Sequence, residues 1–189
     1  MPRAGLSRSI VIDRAAQILD DAGAGSLSLA LVADSFGVKP PSLYKHVQGL
    51  ADLQRGVAVR AKEEMAAVLA RAAVGRSSAD AVRAMAEAYR SWVIAHPGQY
   101  PLTTRAPVPG DTEDEAASER LVELISVILR GFDLGPDQLV DATRFLRSAL
   151  HGFVSLETGG AFELPVSTDD SYGRLVEGVV IALEAWALR

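Results

Sequence analysis

A short run rich in hydrogen-bonding side chains carries the chemistry that this sequence offers most clearly. Its members occupy the stretch from residue 39 to residue 46 and are Lys39, Pro40, Ser42, Tyr44, Lys45 and His46. Lysine ammonium groups bind phosphate oxygens and the acceptor edge of guanine, and hydroxyl and imidazole groups also donate to phosphate. The DNA major groove admits one helix, whose N-terminal residues reach the base edges. The run therefore predicts contact with duplex DNA.

Two helices precede this run and are predicted to hold it in place. Apolar residues in 8–22 recur on one helical face. Ser28 stands before a second apolar stripe, where its hydroxyl can cap the first turn. Gly37 ends that short helix, because glycine accepts the positive φ that a tight turn requires. Pro40 then opens a third helix, since a proline in the first turn sacrifices no hydrogen bond. This order is typical of a helix-turn-helix.

Helical periodicity continues along the rest of the chain, and no convincing alternating strand pattern is found. Further helices are predicted at 50–73, 78–95, 113–132, between Gly135 and Gly159, and after a loop near 161–168, whereas 97–112 reads as irregular or as a short helix. The predicted fold class is all-α. It consists of a three-helix DNA-binding domain at 1–55 and a larger helical domain at 56–189.

Charge is divided unevenly along the chain, whose formal net charge is −5. Residues 1–60 carry seven Lys or Arg against five Asp or Glu, and the remainder carries twelve against nineteen. A basic head on an acidic body would orient the head toward phosphates, although chance fluctuation is the alternative interpretation. Arg3 and Arg8 are candidates for an arm in the minor groove, with a flexible terminus as the favoured alternative.

Patterns typical of enzymes and metal sites are not found in the sequence. The histidines, His46, His96 and His151, lie on separate segments, and cysteine is missing altogether. No phosphate-binding loop or nucleophile elbow is present. We expect neither catalysis nor a metal or organic cofactor. Because no apolar stretch has the length of a membrane span or the form of a signal peptide, we expect a cytoplasmic protein with no membrane partner.

Residues 7–60 resemble the TetR family of transcriptional regulators. The resemblance rests on segments in matching order and spacing, which include Leu27-Ser28-Leu29, Val32-Ala33, Phe36-Gly37-Val38, Ser42-Leu43-Tyr44 and His46-Val47. It implies that DNA is touched by Ser28, Lys39, Ser42, Tyr44, Lys45 and His46. The family usually places a lysine near the start of the next helix, where this sequence has Leu50. A phosphate contact is therefore missing, or Gln48 and the Gly49 amide replace it.

The C-terminal part resembles the TetR-type domain called WHG, through Trp92, His96-Pro97 and Leu150-His151-Gly152-Phe153. This resemblance implies a helical body that dimerises and binds a small-molecule effector. The last two helices carry apolar stripes on more than one side, which favours a homodimer held by an intermolecular four-helix bundle. Candidate effector contacts, each with core packing as the alternative, are Tyr89, Trp92, Tyr100, Arg105, Phe132, Phe145 and His151.

Together these patterns predict a ligand-responsive regulator that binds a palindromic operator as a homodimer, and the family resemblance implies that it is a repressor, which is the family's usual mode. Ligand binding is expected to tilt the helix over 50–73 and to change the spacing of the two heads. The alternatives are a transcriptional activator, or a helical effector-binding or interaction module with no DNA role. Because the third helix contains no Asn or Gln, its lysines favour guanine at a core operator position.

Overall fold

The computed structural model describes residues 5–23 and 25–187, and within these ranges the chain is helical with no strand. The α-helices are α1 (Arg8–Ala22), α2 (Leu29–Ser35), α3 (Leu50–Ala73), α4 (Ser78–Ala95), α5 (Tyr100–Thr103), α6 (Thr112–Leu129), α7 (Pro136–Thr158) and α8 (Thr168–Ala187). Two 3-10 helices, Pro40–Lys45 and Arg130–Phe132, complete the set. The predicted all-α class is confirmed. None of the helices described is long and apolar enough to span a membrane.

The chain forms two compact units, each assembled from separate segments. The first unit joins the chain up to Glu63 with Ala95–Ser118, and the second joins Glu64–Ile94 with the chain from Glu119 onward. The domains predicted from the sequence follow chain order, whereas these units do not. The chain therefore passes between the units at three points, and α3 contributes to both of them.

The helix ends in the first unit follow the signals in the sequence. The Ser28 hydroxyl accepts a hydrogen bond of 3.1 Å from the Leu31 amide, which confirms the predicted cap of α2. Ser7 caps α1 in the same way, with 3.2 Å from the Ile10 amide. Gly37 has a φ of +65° and ends the turn after α2, as predicted. These local bonds satisfy helix-end amides that have no partner within the helix.

Apolar side chains one helical turn apart build the core of the first unit. The residues that α1, α2 and α3 bury there include Val11, Ala15, Leu19, Val32, Ala33, Leu53 and Val57. Their recurrence at spacings of three and four places them on one face of each helix. The segment between α2 and α3 therefore packs on a well-buried core.

The segment Ala95–Ser118 is tied to α1 and α3 within the same unit. Asp20, near the end of α1, lies 2.8 Å from Nδ1 of His96 and accepts a hydrogen bond from the side-chain amide of Gln99. A Cβ at Gly98 would lie only 1.8 Å from the Leu19 carbonyl oxygen, so the chain approaches α1 too closely for any other residue. This returning segment is therefore a structural part of the first unit.

In the second unit, α4, α7 and α8 are joined by a buried arginine. The Arg90 guanidinium binds Glu157 on α7 at 2.5 Å and Asp169 on α8 at 2.6 Å. Its central carbon also lies 5.1 Å from the ring centroid of Tyr172. Hydrogen bonds from this guanidinium hold the pKa of Glu157 below its usual range.

Candidate nucleic-acid interface

The predicted third helix is a 3-10 helix, Pro40–Lys45. Pro40 and Pro41 have no amide hydrogen, so the first donor of the helix is Ser42, which bonds to the Lys39 carbonyl at 2.9 Å. This bond spans three residues, as in a 3-10 helix. We call Pro40–Lys45 the recognition helix. The sequence predicted a helix here without specifying its type, and the structure shows the short, tight 3-10 form.

The recognition helix is anchored by two side chains four residues apart. Leu43 and Val47 are almost completely buried in the core of the first unit. This anchoring sets which neighbours turn outward. Tyr44 is 60% exposed, although it is a large aromatic residue. Its phenol hydroxyl is therefore accessible to an acceptor such as a phosphate oxygen.

The predicted DNA-contacting residues lie on or beside this anchored turn. Lys39, Pro40, Tyr44 and Lys45 are exposed, whereas Ser42, inside the recognition helix, and His46, at its C-terminal end, are half-buried. Ser28 lies apart from them in sequence, at the N-terminus of α2, where the peptide amides and the helix dipole favour an anion. The donors on the anchored turn therefore suit both base edges and phosphates, and the amides at the N-terminus of α2 suit a phosphate.

An ion pair that the sequence did not predict lies at the C-terminal end of the recognition helix. The Arg8 guanidinium makes two bonds to Asp52, at 2.6 and 2.8 Å, and a third to the His46 carbonyl oxygen at 3.0 Å. Asp52 also accepts the Gln48 amide at 2.8 Å. The hydrogen bonds from Arg8 hold the pKa of Asp52 below its usual range. We call Arg8, Asp52 and these two backbone groups the Arg8 clamp.

The structure locates the residues of two expected DNA contacts, the arginine arm and the start of α3. Arg8 is a residue of α1 and is engaged in the clamp, while Arg3 lies outside the described residues. Leu50 is the first residue of α3 and is 37% exposed. The Gln48 amide donates to Asp52, so its exposed side chain is the part of Gln48 that can reach a phosphate.

The candidate effector contacts are divided between the two units. Tyr100 and Arg105 belong to the first, where Tyr100 is buried and Arg105 is exposed. The others belong to the second, in which Trp92 and Phe132 are buried, Tyr89 is half-buried, and Phe145 and His151 are exposed. Buried residues among them fit core packing as well as a cavity wall. Over the described ranges, no cluster of His, Cys, Asp or Glu could hold a metal ion.

Comparison with known proteins identifies similar sequences. The family model described as "Tetracyclin repressor-like, C-terminal domain" matches residues 82–179. The uncharacterized HTH-type transcriptional regulator Rv0681 of Mycobacterium tuberculosis is 37% identical over 182 residues, which cover 96% of this chain and 83% of that protein.

Solved structures share the fold at low sequence identity. A protein of unknown function from Rhodococcus sp. RHA1 is similar with a TM-score of 0.81 and 23% identity, over 97% of this chain and 99% of that one. A TetR variant from Acinetobacter baumannii AYE, in complex with minocycline, has a TM-score of 0.69 and 16% identity, over 97% and 99% of the two chains. The anchored recognition helix, the family model and the mycobacterial relative agree, and the chain belongs to the TetR family of transcriptional regulators.

Proposed function

We propose that this regulator is a ligand-responsive repressor that binds a palindromic operator as a homodimer in the cytoplasm. The observation that carries the proposal is the recognition helix, which buries Leu43 and presents Lys39, Tyr44 and Lys45 to solvent. Ammonium groups at the N-terminal and C-terminal ends of one short helix suit a major groove flanked by phosphates. DNA binding is thereby assigned to particular side chains.

The exposed surface of α7 and α8 supports the homodimer. Apolar side chains remain uncovered on both helices, including Val140, Leu156 and Ile181, the last of which is 64% exposed. Two glycines, Gly173 and Gly178, lie inside α8, and a Cβ on either would meet nothing within 4 Å. Glycine inside a helix costs about 1 kcal/mol relative to alanine. Close approach of a second copy would offset that cost.

Two-fold symmetry connects this surface to DNA recognition. A dimer of this kind presents two recognition helices about 34–36 Å apart, one turn of duplex, and so reads a palindrome. Each copy contributes one half-site contact, and a monomer loses the second. Dimerisation through α7 and α8 is thus required for tight operator binding.

The response to a ligand is assigned to α3, which contributes residues to both units. The TetR variant from Acinetobacter is bound to minocycline, and we infer a small-molecule effector for this chain as well. An effector lowers operator affinity if it binds more tightly to a dimer whose recognition helices are too far apart or too close together for the operator. The loss is limited by the difference between the effector's affinities for the two dimer states. A transcriptional activator would use the same DNA contacts. A measurement of transcription distinguishes activation from repression.

Selection from a randomised duplex library, followed by gel shifts at several salt concentrations, tests the DNA-binding part of the proposal. We expect palindromic half-sites with guanine at a core position, because Lys39 and Lys45 suit its O6 and N7 acceptors. We expect Lys45→Ala to weaken binding and, where Lys45 meets phosphate, to reduce the salt slope by about one. Half-sites without guanine preference would remove the base-reading role of the lysines, and no enriched duplex would overturn the proposal.

A reporter gene placed behind the enriched duplex tests repression. The expected result is a lower signal with the regulator present than without it. A higher signal would establish activation, and would leave the assigned DNA contacts in place.

A further inference from the structure

We infer that Arg8 is a positioning residue, which fixes the recognition helix through Asp52 and does not itself bind DNA. This inference rests on the proposed DNA contacts of the recognition helix and adds the device that holds them. The clamp lies at the C-terminal end of that helix, where His46 ends it and Gln48 leads into α3.

The clamp joins three elements through one guanidinium. Arg8 begins α1, Asp52 lies in the first turn of α3, and His46, whose carbonyl accepts from Arg8, caps the C-terminal end of the recognition helix. The bond to His46 and the bond from the Gln48 amide hold the backbone on both sides of Val47. A change in this backbone would turn Tyr44 and Lys45, because the recognition helix is only six residues long.

The packing of α1 on α3 leaves little freedom for the clamp to shift. A Cβ at Gly56 would lie 2.5 Å from Cδ1 of Ile12 and 3.6 Å from Nη2 of Arg8. The helices therefore meet closely beside the ion pair, over a glycine. A planar guanidinium with two bonds to one carboxylate adds directional restraint that an ammonium group does not supply.

The alternative role for Arg8 is direct contact with a phosphate, since its side chain is 40% exposed. The two roles predict opposite effects for Asp52→Asn. If Arg8 binds phosphate, removing the carboxylate frees the arginine and removes a negative charge, and DNA binds at least as tightly. If Arg8 positions the recognition helix, the same substitution loosens the helix and DNA binds more weakly.

The experiment uses the full chain and the duplex that the wild-type protein enriches from a randomised library. We expect Asp52→Asn to weaken binding by about fivefold or more, within the usual range for coupled sites. Arg8→Lys keeps the charge but loses the planar, two-bond pairing with the Asp52 carboxylate, and we expect a similar loss. Arg8→Met should weaken binding with the salt slope unchanged, whereas loss of a phosphate contact would lower the slope by about one.

Asp13→Asn is the matched control. Asp13 on α1 pairs with Arg60 on α3 at 2.6 Å. The substitution therefore removes a carboxylate from the same pair of helices without changing a contact of the recognition helix. We expect this variant to bind DNA as the wild type does. Asp52→Glu keeps the carboxylate and should restore part of the affinity lost in Asp52→Asn.

Amide hydrogen exchange over residues 39–48 is measured in parallel, without DNA. The clamp predicts faster exchange there in Asp52→Asn and Arg8→Lys than in Asp13→Asn. Tighter or unchanged DNA binding by Asp52→Asn, or unchanged exchange in both clamp variants, would overturn the inference. If the wild type enriches no duplex, the proposed function fails, and the exchange measurement still decides whether the clamp holds the helix.

Discussion

The ammonium group of Lys62 lies 2.6 Å from a carboxylate oxygen of Asp114, and only 1% of the lysine side chain is exposed. Lys62 also donates to the Arg105 carbonyl oxygen at 3.2 Å and to the Ser118 hydroxyl at 3.0 Å. All three donor positions of the ammonium group are therefore used. The pair joins α3 to the returning segment Ala95–Ser118 inside the first unit.

Removing one partner of this pair should destabilise the protein strongly. Lys62→Met leaves the Asp114 carboxylate buried without its cation, and broken buried pairs typically cost about 3–5 kcal/mol. Urea unfolding at neutral pH measures the loss. Arg130→Met is the control, because Arg130 pairs with Glu123 at 3.1 Å on the surface, where a pair contributes about 0–1 kcal/mol. Equal losses in both variants would contradict the structural role of Lys62.

Acid should reduce the free energy of unfolding through Asp111 and Asp52. Hydrogen bonds from Arg55 lower the pKa of Asp111 to about 2, and those from Arg8 lower the pKa of Asp52. An unfolded aspartate has a pKa of about 3.9. The stability from each group is therefore complete above that value and is lost as the pH falls through the folded pKa.

Unfolding by urea between pH 7 and pH 2 checks this dependence. The variant Asp111→Asn should be less stable than the wild type at pH 7, and its stability should fall less on acidification. A pH dependence identical in the two proteins would exclude Asp111 as its source.

Gly98→Ala should destabilise the first unit. The added Cβ would lie 1.8 Å from the Leu19 carbonyl oxygen, and this obstacle is backbone, so the segment after α4 must move away from α1. The movement would weaken the hydrogen bonds that Asp20 accepts from the Gly98 and Gln99 amides, both 3.2 Å long. A lower melting temperature by circular dichroism is the expected result.

Gly173→Ala provides the comparison for this steric effect. A Cβ there meets nothing within 4 Å of the same chain, and alanine favours the helix. We expect no clash within one chain, so a loss as large as that of Gly98→Ala would have to come from contact with a second copy, and would track dimer dissociation. A Gly98→Ala protein as stable as the wild type would contradict the close approach.

Ile181→Asp should dissociate the proposed dimer without unfolding the chain. Ile181 is 64% exposed on α8, so a charge there costs little in a single chain but is buried at a two-copy interface. Sedimentation should give a monomer mass, and affinity for a two-half-site duplex should fall. Val74→Asp is the control, because Val74 is 73% exposed in the turn after α3. A dimeric Ile181→Asp protein would place the interface elsewhere.

Local signals in the sequence determined the helical elements and the recognition run. The Ser28 cap, the positive φ at Gly37 and the anchoring pair of Leu43 and Val47 each depend on residues within a few positions of one another. Such features can be predicted from the sequence because capping, turn geometry and helical periodicity act over one or two helical turns. The family resemblance drew on the same residues.

Only the tertiary structure decided which distant charges meet. Arg8 lies 44 positions from Asp52, and Lys62 lies 52 from Asp114. With 19 basic and 24 acidic residues in the chain, periodicity does not specify these pairs. The sequence also did not predict the return of Ala95–Ser118 to the first unit, because this return depends on packing between segments far apart in sequence. Local patterns thus specified the recognition helix, and packing between distant segments decided which residues fix its position.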